Sequence, residues 1–145
     1  MKISDALIFN VIRVPLNATI RDAVEIMSAH QISDLMVVDE SNKFVGVLSE
    51  GDLIRAGMPR FEEMIAEGSM ASGFAIFREK GKTLANAPID PLVIKNALVV
   101  SPSDDVLAAA SIMVSKQIRR LPVVDNGNLV GTISRTDVCR AVLRP

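Results

Sequence analysis

The chain has 145 residues, enough for one compact domain or two half-sized units sharing a core, and too few for two independent domains of ordinary size. A formal net charge of -1 gives no long-range field of either sign, which argues against general attraction to nucleic acid or a membrane surface. Cys139 is the single cysteine, so an internal disulfide framework and a Cys-based zinc site are excluded, and a reducing cytoplasm is the expected setting.

In chain order, Val11 to Val14 is a β-branched apolar run closed by Pro15, which reads as a strand. Ile20, Ala23, Val24 and Met27 then fall on one stripe of a helix that Thr19 or Asn17 can cap. Leu35 to Val38 has the form of a buried strand, and Phe44 to Leu48 follows after a polar turn. Leu53 and Ile54 lie on a short helix terminated by Gly57 and Pro59. Residues 58–95, with three glycines and three prolines, read as an inter-repeat linker with helical pieces at Phe61 to Glu67 and Ala75 to Glu79. It is either a surface connection or a recognition or lid element. Beyond it come Leu98 to Val100, a helix turning Val106, Ala109, Ala110 and Met113 inward, Leu121 to Val124, Leu129 to Ile133, and a last helix to Leu143.

The second half repeats the first. Met27 matches Met113, Ile32 matches Ile118, Leu35 matches Leu121, and Val37-Val38-Asp39 matches Val123-Val124-Asp125, all at one offset. The offset then shortens by one residue inside a turn, after which Gly46 matches Gly131, Ser49 matches Ser134 and Asp52 matches Asp137. The fold class is therefore α/β of the α+β kind: two tandem β-α-β-β-α repeats, residues 1–57 and 96–145, related by a pseudo-two-fold axis, with sheets packed on helices.

Gly46-Val47-Leu48-Ser49-Glu50-Gly51-Asp52 and Gly131-Thr132-Ile133-Ser134-Arg135-Thr136-Asp137 resemble the signature of the CBS (cystathionine-β-synthase type) domain family. The preceding runs, Ile32 to Asp39 and Ile118 to Asp125, strengthen the likeness, which covers nearly all of the chain outside the linker. The resemblance implies a stand-alone CBS pair, or Bateman module: a non-catalytic regulator that binds AMP, ADP, ATP or a related adenosyl compound between its repeats and signals to a separate effector protein. It also implies a homodimer built through the helices, in keeping with a mean hydropathy of +0.33 that suggests apolar surface hidden by association.

The spacing places each Ser at a helix entrance and each Asp in its first turn, where both side chains face a mouth suited to a ribose phosphate. Ser49 with Asp52 and Ser134 with Asp137 are therefore ligand candidates, the aspartates on ribose. The same residues make an ordinary helix cap, and that reading stands beside the first. The resemblance further points to Ile32 and Ser33 facing the Asp137 site and to Ile118 and Arg119 facing the Asp52 site, around the adenine; core packing explains the two isoleucines equally well. Arg119 and Arg120 supply forked donors for phosphate where the first repeat has Ser33 and Asp34, and Arg135 stands where it has Glu50. The two sites are thus expected to bind a phosphorylated ligand unequally. Alternatively these arginines pair with Asp104, Asp105 or a dimer mate.

No catalytic or metal site is expected, and no obligatory cofactor. His30 is the only histidine and reads as a helix C-terminal cation, while Met27 and Met113 fall on apolar stripes. No apolar run approaches the roughly 20 residues of a membrane helix, and charges at Lys2 and Asp5 interrupt any signal-peptide pattern, so a soluble, cytoplasmic protein is expected. The competing functions are a dimerisation scaffold with vestigial sites and a weak nucleic-acid binder using Arg119, Arg120, Arg135 and Arg140.

Overall fold

The structure, a computed structural model, describes residues 1–6, 9, 11–57 and 70–144, with side chains of the last stretch from residue 73. The first repeat contains β1 (Arg13–Pro15), α1 (Ile20–His30), β2 (Asp34–Val38), β3 (Phe44–Ser49) and α2 (Glu50–Gly57). After α3 (Met70–Leu84) the second contains α4 (Val106–Ser115), β4 (Arg120–Asp125), β5 (Asn128–Ser134) and α5 (Arg135–Leu143). The piece expected at Phe61 to Glu67, and Pro59, lie outside the described residues; that at Ala75 to Glu79 falls within α3.

Helix starts follow from local chemistry. Thr19 Oγ1 accepts from Asp22 N at 3.2 Å while the Asp22 carboxylate accepts from Thr19 N at 3.1 Å, so Thr19 caps α1. Asp105 caps α4 by accepting from Leu107 N at 2.7 Å. Ala23 and Met27 of α1 and Val106, Ala109 and Met113 of α4 point into the two repeat cores.

In the first repeat β2 pairs in parallel with β1 and antiparallel with β3. In the second, β4 and β5 form an antiparallel pair with the irregularity at Val123/Val124 matching that at Val37/Val38. The strand expected at Leu98 to Val100 is reduced to one parallel bridge, Val100 to Val123. Its ladder ends because Ser101 N donates to the Asp104 carboxylate at 2.8 Å rather than to a strand.

The two repeats exchange their leading segments. Ile3–Asp5 forms a 3-10 turn whose Ile3 is buried in the second repeat's core; Asp90–Leu92 forms the matching turn, and the adjacent Ile89 is buried in the first. The backbone bonds correspond as well: Ile3 N to Asp104 O at 2.8 Å and Ile89 N to Ala18 O at 3.0 Å, Val106 N to Met1 O at 3.0 Å and Ile20 N to Ala87 O at 2.9 Å. A third cluster, Met36, Val38 and Leu129, joins the sheets along a seam. At one end of that seam Phe44 N donates to Gly127 O at 2.8 Å, and Arg13 reaches both the Asn42 side chain and Leu129 O.

Gly46 has a specific reason to be glycine. Ile94 and Val47 exchange backbone hydrogen bonds of 2.9 and 3.1 Å, which lays the segment entering the second repeat against β3. A Cβ on Gly46 would stand 2.2 Å from Ile94 O, a clash of backbone with side chain that no rotamer relieves.

Candidate functional site

Among the described residues, two of the clefts lined by both repeats meet at a shared floor. The wider, about 500 Å³, has Ser49 and Glu50 from the start of α2 on one side and Ile118, Arg119 and Arg120 on the other. Ile94, Ala97 and Leu98 complete an apolar wall. The narrower, about 330 Å³, sets Ser134, Arg135 and Thr136 of α5 against Ile32 and Ser33. Ser33, Asp34, Arg119 and Arg120 line both.

Backbone geometry holds the clefts open. Gln31 and Gln117 take left-handed conformations, φ 52 and 56, and turn the chain from α1 and α4 toward β2 and β4. Glu50 N then donates to Ser33 O at 2.9 Å and Arg135 N to Arg119 O at 3.0 Å, which pins each helix start to the strand entry of its own repeat.

Both aspartates sit one turn behind the lining residues, inside capping boxes. Asp52 Oδ2 accepts from Ser49 Oγ at 2.7 Å and Ser49 N at 3.3 Å, and Oδ1 accepts from Arg55 at 2.6 Å. Asp137 repeats this: Oδ2 accepts from Ser134 Oγ at 2.7 Å and Ser134 N at 2.8 Å, and Oδ1 from Arg140 at 2.8 Å. The side chain is 3% exposed for Asp137 and 16% for Asp52. Burial pushes the Asp52 carboxyl up, but the Ser49 and Arg55 hydrogen bonds outweigh it and hold the group below the usual carboxylate range. The capping arrangement is thus present in both repeats. Arg55 and Arg140 are parts of it that the Ser-x-x-Asp spacing alone does not reveal.

Arg119 is exposed and Arg120 half-buried, and neither side chain forms a hydrogen bond or ion pair among the described residues. The pairing considered with Asp104 and Asp105 is not made. Asp105 lies 3.7 Å from the N-terminal amine, and Asp104 accepts from Ser101 N. Arg135 is committed elsewhere: its Nε donates to Ile118 O at 3.0 Å and its Nη2 to Met113 O at 3.1 Å, closing the last turn of α4. Burial raises the Asp34 carboxyl above its usual range, with Arg120 and Arg119 pulling it back and Glu50 adding to the rise. One acidic group and two cations, which make no hydrogen bond or ion pair among the described residues but feel the charge of Asp34, therefore share the floor of both clefts.

Ile32 and Ile118 each line a cleft and also pack against a repeat core. Ile94, Ala97 and Leu98 were missed as wall residues. Ile94 closes the linker and Ala97 and Leu98 open the second repeat, and their alternation with the polar Lys95 and Asn96 carries no motif that marks a cleft wall. Among the described residues no group of His, Cys, Asp or Glu is arranged to hold a metal ion, and no helix is long and apolar enough to cross a membrane.

A duplicated module with inter-repeat clefts, each walled by a helix start of one repeat and a strand entry of the other, defines a class of paired domains. The family model described as "CBS domain" matches residues 3–58 and 89–144, and the chain belongs to that family as a CBS pair. It is 33% identical over 134 residues to the chloroplastic CBS domain-containing protein CBSX1 of Arabidopsis thaliana, covering 87% of this chain and 56% of that protein. An uncharacterised protein of Methanocaldococcus jannaschii is 29% identical over 128 residues, 88% of this chain but 38% of its own length. The chain thus spans only part of these relatives. Among solved structures, CBSX2 of Arabidopsis thaliana in complex with AMP superposes with a TM-score of 0.75 at 26% identity, covering 98% of this chain and 96% of that one.

Proposed function

We propose that this CBS pair binds an adenine nucleotide in the wider cleft and reports its occupancy to a separate effector protein. The observation that carries the reading is the pair of guanidinium groups of Arg119 and Arg120, which make no hydrogen bond or ion pair among the described residues and stand across an apolar wall from the Ser49 helix start. The base packs on Ile94, Leu98 and Ile118, and the phosphate takes the arginines, whose forked donors match its oxygens. The ribose reaches Asp52 Oδ1 by displacing Arg55, a side chain 72% exposed that gives up only a solvent-screened ion pair. CBSX2, similar in fold and solved with AMP, supports this ligand class. Signalling follows if the ligand binds one arrangement of the repeats, or of a homodimer, better than another.

Isothermal titration with AMP, ADP, ATP and adenosine tests the site. Removing either arginine should weaken AMP about 10- to 150-fold, the worth of a charge-assisted hydrogen bond of roughly 1.5–3 kcal/mol, and leave adenosine almost unchanged. The engagement of both aspartates in caps favours the second reading, a dimerisation scaffold with vestigial sites. Absence of heat and of thermal stabilisation with every ligand, in protein freed of co-purified nucleotide, would establish that one.

A further inference from the structure

We infer that the two clefts exclude one another for phosphorylated ligands: a CBS pair of this sequence holds one nucleotide phosphate at a time, in either cleft, because both draw on a single pair of arginines. The inference rests on the nucleotide reading above and adds its stoichiometry and regulation.

A perfect two-fold repeat would place a cationic pair at the strand entry of each half. Here Arg119 and Arg120 occupy the second half's entry, and the matching positions are Ser33 and Asp34. All four residues line both clefts, so the arginines form a common floor and not the property of one site. Asp34 lines both clefts beside the two guanidiniums, whose charge pulls its carboxyl down against the rise from burial. The remaining cation of the narrower cleft, Arg135, spends two nitrogens on backbone carbonyls, and the wider cleft offers Glu50 at the equivalent place. Neither cleft therefore has an independent set of phosphate donors. A phosphomonoester carries a charge of about −1.5 to −2 at neutral pH. Once one is seated, the second meets occupied donors and a like charge across the shared floor. The lost affinity is a coupling between sites and acts equally in both directions.

The clefts can be closed one at a time. Leu98 lines only the wider and is 44% exposed, and Thr136 lines only the narrower and is exposed, so Leu98→Trp and Thr136→Trp fill one cleft without touching the floor. Titration of the full chain with AMP should give one equivalent, with a second at least about tenfold weaker, the lower part of the usual range of coupling. Each tryptophan variant should still bind one AMP, and Arg120→Ala should weaken binding in both. The double substitution Ser33→Arg with Asp34→Arg supplies the missing pair and should raise the stoichiometry to two. Circular dichroism and melting curves confirm that each variant is folded. Two equal, independent equivalents in the parent chain overturn the exclusion and leave the nucleotide reading intact. One equivalent that vanishes in Leu98→Trp or in Thr136→Trp also overturns it, since only a single cleft then works. No binding of AMP by any variant removes the nucleotide reading and this inference together.

Discussion

The two repeats differ most where they meet a ligand and least where they build themselves. Their helix starts are nearly superimposable in chemistry, with the same Ser-x-x-Asp box and an arginine three residues further on at Arg55 and Arg140. Their strand entries are opposed in charge, Ser33-Asp34 against Arg119-Arg120. A duplicated fold needs the caps in both halves because each helix has orphan amides to satisfy. Nothing in the fold requires the charges of the strand entries to match. Where the halves agree, the residues answer to folding; where they part, they are free to answer to a ligand.

The sharpest way to break the comparison is to remove the close approach that ties the halves together at Gly46. Gly46→Val places a branched side chain where a single Cβ already stands 2.2 Å from Ile94 O. Overpacking a core usually costs about 1–3 kcal/mol and more against backbone, so this variant should lose cooperative folding or melt far below the parent in a calorimetric scan. A melting temperature within a few degrees of the parent would mean that Ile94 can move away, and that the wall of the wider cleft is adjustable.

Next in size are the capping aspartates. Asp137→Ala removes a carboxylate that accepts three hydrogen bonds while almost fully buried, which should cost about 2–3 kcal/mol in urea denaturation. Asp52→Ala should cost about 1–2 kcal/mol, since its site is wetter and Arg55 more exposed. If nucleotide binding goes with Asp52 while stability goes mainly with Asp137, the repeats have divided the labour of one inherited motif. Equal losses of stability, with no effect on binding, would return both residues to capping alone.

Much of this was legible in the sequence, and the limits have physical causes. The stripes ending in Met27 and Met113, the caps, and the paired strands all rest on local periodicity, which one helix or one hairpin satisfies by itself. The exchange of Ile3 and Ile89 between cores was not legible, because an apolar residue before a repeat does not announce which core it enters. The third strand at Leu98 to Val100 has a strand's composition but loses its ladder where Ser101 N donates to the Asp104 carboxylate, a competition that propensity does not weigh. In the candidate site, both Ser-x-x-Asp pairs could be read as ligand or as cap. Only the positions of Arg55 and Arg140 reveal that the caps are closed by a further residue.

Those arginines give a smaller effect. Arg55→Ala uncovers Asp52 Oδ1, and should tighten adenosine and AMP by a few-fold while lowering stability by less than about 1 kcal/mol, the usual worth of an exposed ion pair. Arg140→Ala makes the same change at Asp137, and a matching gain there would place a ribose in the narrower cleft as well. Titration with adenosine, which lacks the phosphate, separates this exchange from anything that happens at Arg119 and Arg120.

The smallest effect tests the floor itself. Asp34 carries a carboxyl raised by burial, so its charge is held against the preference of its surroundings. For such a group the favourable contribution is full below its unfolded value of 3.8 and is lost as pH rises through the raised folded value. Asp34→Asn has no charge to hold. Its stability should match the parent below pH 3.8 and exceed it by on the order of 0.5 kcal/mol at neutral pH, the gap opening as pH rises between those limits. Asp52 runs the other way: its contribution is present above 3.8 and lost as pH falls through its lowered folded value. The same Asp34 substitution removes the one carboxylate that, among the described residues, lines both clefts, which leaves Arg119 and Arg120 entirely to the phosphate. AMP should therefore bind several-fold more tightly to the variant, and adenosine no differently. Tighter binding of both ligands would instead trace the effect to the shape of the floor, and would detach the arginine pair from the phosphate.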